Sequence, residues 1–368
     1  MAAQFFSQRF NFMGGIFHRP LIYNLTSPTT PRLIFCGAAR TSLGYGSGRE
    51  SENTIASYRN TVLIYNPRAG KFGHDGAKLL KRAVEILTDN GHSVTVAPTT
   101  GPRTAGAIAS CHISRGADLI LAAGGDGTVN EVADGMVGSH VPLAVLPAGT
   151  ANVLAMEMKL GGKFLSVAAR LGECRPHRIS VGRLTCDGGR VSRHFLLMAG
   201  AGLDAEIVYH VSAGLKSRMG KLAYWLAGWS MLGRRLPELQ VNADGREYRC
   251  SFALLSKVRN YGGDFEIARE VNLFEDQFEM VLFEGRSSTR YVKYFVGLAL
   301  NRLHHLTGVT DCRARHITLA GPGNGRVYIQ IDGELAGRLP AEVTIVPDAL
   351  TLLVPPEYRP GPRKRFTP

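Results

Sequence analysis

Gly124-Gly125-Asp126-Gly127-Thr128 follows the unbroken apolar run Leu119-Ile120-Leu121-Ala122-Ala123 and leads into Val129-Asn130-Glu131-Val132. A short, wholly apolar run ended by glycines reads as a buried strand, and residues 129–137 carry helical spacing. The glycines therefore mark a turn from the carboxyl end of a strand into a helix. In open α/β sheets ligands collect beyond such ends, and glycines let backbone N–H groups approach phosphate oxygens. The positive N-terminus of the helix, which Thr128 is suited to cap, favours an anion. Asp126 puts a carboxylate beside that anion, an arrangement that implies a bridging Mg²⁺.

Strand and helix alternate on both sides of this turn. Residues 62–65 form an apolar strand ending at Asn66-Pro67, and 75–90 carry Leu79, Leu80, Ala83, Val84 and Leu87 at helical spacing before Gly91. Residues 93–97 read as a strand, 104–114 as a helix and 142–146 as another strand. This predicts an α/β nucleotide-binding domain with a largely parallel sheet over 61–160. Two further strand ends carry loops of similar make: Asn66-Pro67-Arg68-Ala69-Gly70, and Leu146-Pro147-Ala148-Gly149-Thr150-Ala151-Asn152. Three loops are thus expected to converge on one nucleotide. The chain has no G-x-x-x-x-G-K-[ST] P-loop and no H-R-D or D-F-G kinase signature.

After residue 160 short β-rich runs take over, at 178–184, 194–199, 249–255, 278–283, 327–331, 343–346 and 350–354, divided by Gly, Asp and Pro. A β-sandwich over 161–356 is the simplest home for them. Helical stretches at 215–232 and 290–306 interrupt it. Asp332-Gly333-Glu334 ends one strand with two carboxylates on a tight turn. Phosphoryl transfer to an alcohol needs a base within reach of the hydroxyl, and residue type alone leaves the choice between Asp332 and Glu334 open.

Composition narrows the partners. The 368 residues are 45% apolar and 20% charged, ordinary for a folded protein of two domains. Forty-three Lys plus Arg against 30 Asp plus Glu give +13, which favours anionic partners such as lipid or nucleotide phosphates. No nucleic-acid recognition motif accompanies the charge, so no nucleic acid is expected. Residues 1–60 are Arg-rich, poor in acid and punctuated by Pro20, Pro28 and Pro31. They read as a disordered extension or a misassigned start rather than a transit peptide. Six scattered cysteines form no C-x-x-C pair, which argues against zinc or a disulfide framework and fits a reducing compartment. No apolar run is long enough to span a bilayer.

With these motifs in order, the chain resembles the diacylglycerol kinase catalytic-domain family, which includes bacterial lipid kinases and the sphingosine and ceramide kinases. The resemblance covers residues 61–356. It rests on G-G-D-G-T-x-N-E and L-P-x-G-T-x-N, and on Gly200-Ala201-Gly202-Leu203-Asp204, Asn260-Tyr261-Gly262-Gly263 and Ile331-Asp332-Gly333-Glu334. It implies that Asn66, Pro67, Arg68, Ala69, Gly70 and Thr99 contact ATP. Gly124, Gly125, Asp126, Gly127, Thr128, Val129, Asn130 and Glu131 would do the same, with Gly149, Thr150 and Asn152 closing the site. Asp126 would act through Mg²⁺, and Asp332 or Glu334 would receive the acceptor's proton.

The family's smaller domain also holds a structural Mg²⁺ near A-x-L-x-D-G-x-F. Here Val271-Asn272-Leu273-Phe274-Glu275-Asp276-Gln277-Phe278 matches with Glu for Asp and Asp for Gly, so Asn272, Glu275 and Gln277 are the implied ligands. Lys216, Arg218 and Lys221 precede an aromatic stretch with Trp225 and Trp229, which suits an interfacial docking surface. The basic tail at 357–368 adds charge. The expectation is an ATP- and Mg²⁺-dependent kinase of a lipid hydroxyl, cytoplasmic and peripheral to the membrane, with a homodimer left open. NAD kinase, which shares G-G-D-G-T, and a noncatalytic lipid- or nucleotide-binding protein are the rivals.

Overall fold

The computed structural model describes residues 58–73, 75–203, 205, 235–261, 265–322 and 327–359. The extension at 1–57, the aromatic stretch at 206–234, Asp204, Gly262, Gly263 and the tail from 360 onward lie outside the described residues.

The first layer follows the predicted alternation: β1 (Asn60–Tyr65), α1 (Gly76–Asp89), β2 (Ser93–Pro98), α2 (Ala105–Ser114), β3 (Leu119–Gly124), α3 (Asp126–Asp134) and β4 (Leu143–Pro147). The strands run parallel in the order β2-β1-β3-β4. Period-two alternation explains why β3 has no polar residue. Leu119, Leu121 and Ala123 face the core beneath α1 with Leu63, Ala83 and Leu87. Ile120 and Ala122 face the opposite core with Val62, Ile64 and Val132. Both faces are covered, as parallel sheets require. Helices α2 and α3 meet at glycines: a Cβ on Gly135 would lie 2.2 Å from the Gly106 carbonyl oxygen.

Short helices α4 (Val153–Glu157) and α5 (Phe164–Ala169) lead to the β-rich part. It contains β5 (Arg175–Cys186), β6 (Val191–Phe195), β7 (Met198–Gly202), β8 (Leu239–Ala243), β9 (Arg246–Cys250), β10 (Phe252–Ser256), β11 (Asn260–Tyr261), β12 (Phe265–Glu266) and β13 (Phe278–Phe283). After α6 (Arg290–Ala299) come β14 (Val309–Ala314), β15 (His316–Ala320), β16 (Tyr328–Ile331), β17 (Glu334–Arg338) and β18 (Ala341–Val354). One sheet has the order β14-β13-β10-β7-β16-β17, and its pairs are antiparallel. The other continues the parallel layer: β4 is followed by β18, β15, β8 and β9, with β5 and β6 attached through β18. The two sheets enclose Leu184, Phe195, Leu239, Val241, Phe278, Met280, Ile329 and Val343. Phe195 and Phe278 stack there with centroids 5.6 Å apart. This is the expected sandwich.

Two runs read as single strands are corners. Residues 194–199 divide between β6 in one sheet and β7 in the other, and 249–255 divide at Ser251 between β9 and β10. Ser251 makes its corner polar inside: its N–H donates to the Phe283 carbonyl at 2.8 Å and its Oγ meets Tyr291 Oη at 2.8 Å. The apolar run continues past both corners because the strands that follow them, β7 and β10, are buried at every position. Strands that change sheets at bends are a recurrent way to close a sandwich.

Candidate active site

The three loops at the carboxyl ends of β1, β3 and β4 are tied to one another. Asn66 Nδ2 donates to Thr128 Oγ1 at 3.2 Å, while Asn66 Oδ1 accepts the Arg68 N–H at 2.9 Å. The N–H groups of Ala148 and Gly149 donate to the Gly124 carbonyl at 2.9 and 3.1 Å. The Lys71 N–H donates to the Ala148 carbonyl at 3.1 Å, and its ammonium to the Pro147 carbonyl at 2.9 Å and to that of Gly162. Thr99 joins the same edge, its N–H on the Tyr65 carbonyl at 2.8 Å. Such close backbone approach demands glycine. A Cβ on Gly149 would lie 2.4 Å from the Gly125 Cα, and one on Gly124 would lie 2.5 Å from the Thr128 Cβ. Gly70, Pro67 and Arg68 are exposed at the mouth, whereas Ala69 is buried.

Asp126 opens α3 and reaches the start of α4, accepting the Leu154 N–H at 3.3 Å. Burial pushes its carboxyl up, and the backbone N–H groups of Leu154, Val153, Asp126 and Asn152 pull it back. From the β-rich side, Asp332 sits buried between β16 and β17 with φ of 48°. Its Oδ1 accepts the N–H groups of Leu197 at 3.0 Å and Met198 at 2.9 Å, and its Oδ2 that of Leu196 at 3.0 Å. These are the residues at the β6–β7 corner, so this carboxylate holds the chain where it crosses between sheets. Burial pushes Asp332 up to about 7, the three N–H groups oppose that, and the charge of Asp126 adds to it. The two aspartates therefore feel each other across the loops.

Glu334 differs from Asp332. Its side chain is 39% exposed, its Oε2 lies 3.4 Å from Arg193 Nη2, and its Oε1 lies 2.5 Å from where a Cβ on Gly127 would be. The D-G-E turn thus meets the G-G-D-G-T turn through Glu334. Arg193, on β6, carried no signal in the sequence, being a lone basic residue without motif spacing. Its Nη1 is buried and finds no hydrogen-bond partner among the described residues. Lys71, one residue past the Asn66 to Gly70 loop, was missed for the same reason.

Other expected contacts are used within the fold. Glu131 accepts the N–H groups of Arg103 at 2.8 Å and Ala105 at 3.2 Å, holding the start of α2. Asn152, in the left-handed region at φ of 51°, exchanges bonds with Gly149 of its own loop at 2.8 and 2.9 Å. Val129 is a core side chain. Asn130 Nδ2 donates to the His194 carbonyl at 3.3 Å, while its buried Oδ1 has no protein partner among the described residues. Thr150 is exposed between Gly149 and Asn152. Cavities of about 490 and 700 Å³ occur elsewhere, and neither is lined by Asp126, Asp332 or Glu334.

The metal expected at Asn272, Glu275 and Gln277 meets a turn in which Asn272 and Glu275 are already engaged. Glu275 Oε2 accepts from Arg313 Nη1 at 3.0 Å and Oε1 from Asn272 Nδ2 at 2.9 Å, while Asn272 Oδ1 accepts the Phe274 N–H at 3.0 Å. The Glu275 carbonyl accepts from Ser180 Oγ at 2.9 Å and from the Lys257 ammonium. Lys257 is fully buried and also donates to Ser180 Oγ at 2.7 Å. Burial pushes it down to about 8, while Asp276 and Glu275 pull it back up. Among the described residues no group of three His, Cys, Asp or Glu is arranged to hold a metal. Two protein cations serve this acidic turn, and its donor set does not fit a divalent ion.

Residues 60–184 match the family model described as the diacylglycerol kinase catalytic domain. Residues 198–354 match the YegS C-terminal NAD kinase beta sandwich-like domain. A diacylglycerol kinase of Bacillus subtilis (strain 168) is 27% identical over 303 residues, covering 80% of this chain and 96% of the relative. One of Mycobacterium tuberculosis (strain CDC 1551 / Oshkosh) is 27% identical over 300 residues, covering 80% and 94%. The solved structure of a diacylglycerol kinase from Bacillus anthracis str. Sterne superposes with a TM-score of 0.66 at 20% identity, covering 82% of this chain and 99% of that one. Another from the same organism reaches 0.71 at 19%, covering 84% and 100%. These structures establish the fold. With the two models matched in succession over a chain whose glycine loops meet its D-G-E turn, residues 60–184 belong to the diacylglycerol kinase catalytic-domain family and residues 198–354 to its YegS-type sandwich partner, which supports a lipid kinase at the level of the family.

Proposed function

We propose that this chain transfers the γ-phosphoryl group of ATP to the hydroxyl of a diacylglycerol-like lipid, with Mg²⁺ as cofactor. The observation that carries the reading is the contact between Glu334 and Gly127, which sets an accessible carboxylate from the β-rich part against the glycine turn. The N-terminus of α3, held against the loops after β1 and β4, favours a phosphate, and the buried Asn130 Oδ1, an acceptor without a protein partner among the described residues one turn along α3 from Asp126, fits a cation. When bound, Mg²⁺ neutralises phosphate charge, and Asp126 is the residue that would hold it.

Glu334 is the proposed base. Both oxygens of Asp332 accept backbone N–H groups, so Asp332 acts as a positioning residue for the 196–198 corner. Glu334 takes the proton of the lipid hydroxyl. That oxygen forms the new bond to the γ-phosphorus as the bond to the β,γ-bridging oxygen breaks, and ADP leaves with that electron pair. Arg193, beside Glu334, supplies positive charge near the transferred group. Convergent loops and α3 hold ATP in line, and orientation supplies much of the acceleration.

Labelled ATP offered with diacylglycerol in mixed micelles, and separately with NAD, tests the reading. Label is expected in the lipid, with turnover by Asp126→Ala and by Glu334→Gln strongly reduced. Label in NADP, or full turnover by either variant, would overturn it.

A further inference from the structure

Helix α6 is apolar on both sides. Tyr294 and Gly297 face inward, Tyr294 donating its hydroxyl to the Glu284 carbonyl at 2.8 Å. On the outer side Val292, Val296 and Leu300 are 47%, 49% and 65% exposed, and Phe295 is 37% exposed. Spacings of four residues line the three aliphatic side chains along one stripe. The segment that carries the stripe has charge of one sign, although Glu266 on β12 and Glu284 lie near it. From residue 285 to 310 the chain has no Asp or Glu, but it has Arg286, Arg290, Lys293 and Arg302, all exposed. A contiguous exposed apolar stripe marks an interaction surface, and four exposed cations on its own segment select an anionic one.

The stripe is connected to the site. Asp126 binds the start of α4, α4 packs against β11, and β11 pairs with β12. On β12, the Phe265 ring meets Phe295 edge-on with centroids 6.2 Å apart. We infer that α6 docks this protein on an anionic lipid bilayer, its aliphatic stripe entering the headgroup boundary while Arg286, Arg290, Lys293 and Arg302 meet the lipid phosphates. The inference rests on the lipid-kinase reading for its choice of occupant. It assigns the membrane contact to α6.

The full chain is sedimented with phosphatidylcholine vesicles with and without phosphatidylglycerol. The wild type is expected to bind the anionic vesicles preferentially. Val292→Ser/Val296→Ser/Leu300→Ser should weaken that binding about tenfold, and Arg286→Glu/Arg302→Glu should abolish the anionic preference. Both should keep the wild-type melt and turnover on a short-chain, water-soluble diacylglycerol. Vesicle binding that is absent in the wild type or unchanged in the triple variant overturns the inference. So does a molar mass by light scattering that falls from dimer to monomer in the triple variant while vesicle binding persists, because the stripe would then join two copies. If the wild type phosphorylates no lipid yet loses vesicle binding with the stripe, the kinase reading fails and the docking surface stands.

Discussion

Glu334 and Gly127 are fitted to each other: the carboxylate Oε1 occupies the space that a β-carbon on Gly127 would need. Gly127→Ala should therefore push Glu334 aside. Because Gly127 lies within α3 and the displaced atom ends a flexible side chain, alanine should leave stability unchanged or raise it by up to about 1 kcal/mol. Turnover should fall about 10²-fold, the scale of a misplaced catalytic group. Steady-state kinetics beside a thermal melt checks both halves, and full activity in Gly127→Ala would contradict the role of this contact.

Glu334 and Asp332 should separate by what each variant loses. Glu334→Gln is expected to lose about 10²- to 10⁴-fold in kcat, the range for a missing general base, with little change in melt. Asp332→Ala leaves three buried N–H groups without their acceptor and should cost about 1–3 kcal/mol or more in stability. Denaturant titration of the two variants distinguishes them. Equal destabilisation would remove the distinction drawn between base and positioning residue.

Stability should fall with pH through the range in which Asp332 ionises. Its folded-state value, about 7, lies above the ordinary 3.8, so between those values the folded chain holds a proton that the unfolded chain has released. Folding is then favoured at the acidic end, and on the order of 3 kcal/mol of that advantage is lost as pH rises from 4 through 7. Asp332→Asn, which does not titrate, should flatten this part of the curve. Urea midpoints for wild type and Asp332→Asn across that range provide the comparison.

Chelation should leave the nucleotide-free protein intact. The turn bearing Glu275 is held by Arg313 and by the buried Lys257 ammonium, so dialysis against EDTA should not shift the melt. Lys257→Met, which removes a donor from Ser180 and the Glu275 carbonyl, should cost about 1–3 kcal/mol. A melt that drops with EDTA and recovers with Mg²⁺ would show that a metal supports this turn.

The strand–turn–helix at 119–137 was legible because a run of five apolar residues has one plausible home and its glycines have one geometric use. Sheet corners were not, since buried Leu196 and Leu197 join Phe195 to β7 without a break in the apolar run. The helix read over 290–306 ends at Ala299, with Asn301 turned left-handed at φ of 58°, and Leu303–His305 forms a separate 3₁₀ turn. No Gly or Pro announces that stop. Within the site, motif spacing identified the glycines and carboxylates but could not reveal that Glu131 holds α2 or that Asn152 closes its own loop. Arg193 and the link from Arg313 to Glu275, 38 residues apart, are products of tertiary structure, which local pattern does not encode.

Strand β18 pairs with β5 along its length, with β15 over residues 341–344 and with β4 through Leu352 and Leu143. The edge of β4 therefore stays bare while the ribosome is still making the intervening chain, and the sheet that begins at Asn60 is sealed only when the closing strand emerges. Premature termination before residue 341 would release a product with an open β-edge, prone to aggregate. A nascent chain of this kind depends on prompt completion or on chaperone cover, so its yield in the cell should be limited by events at the end of translation.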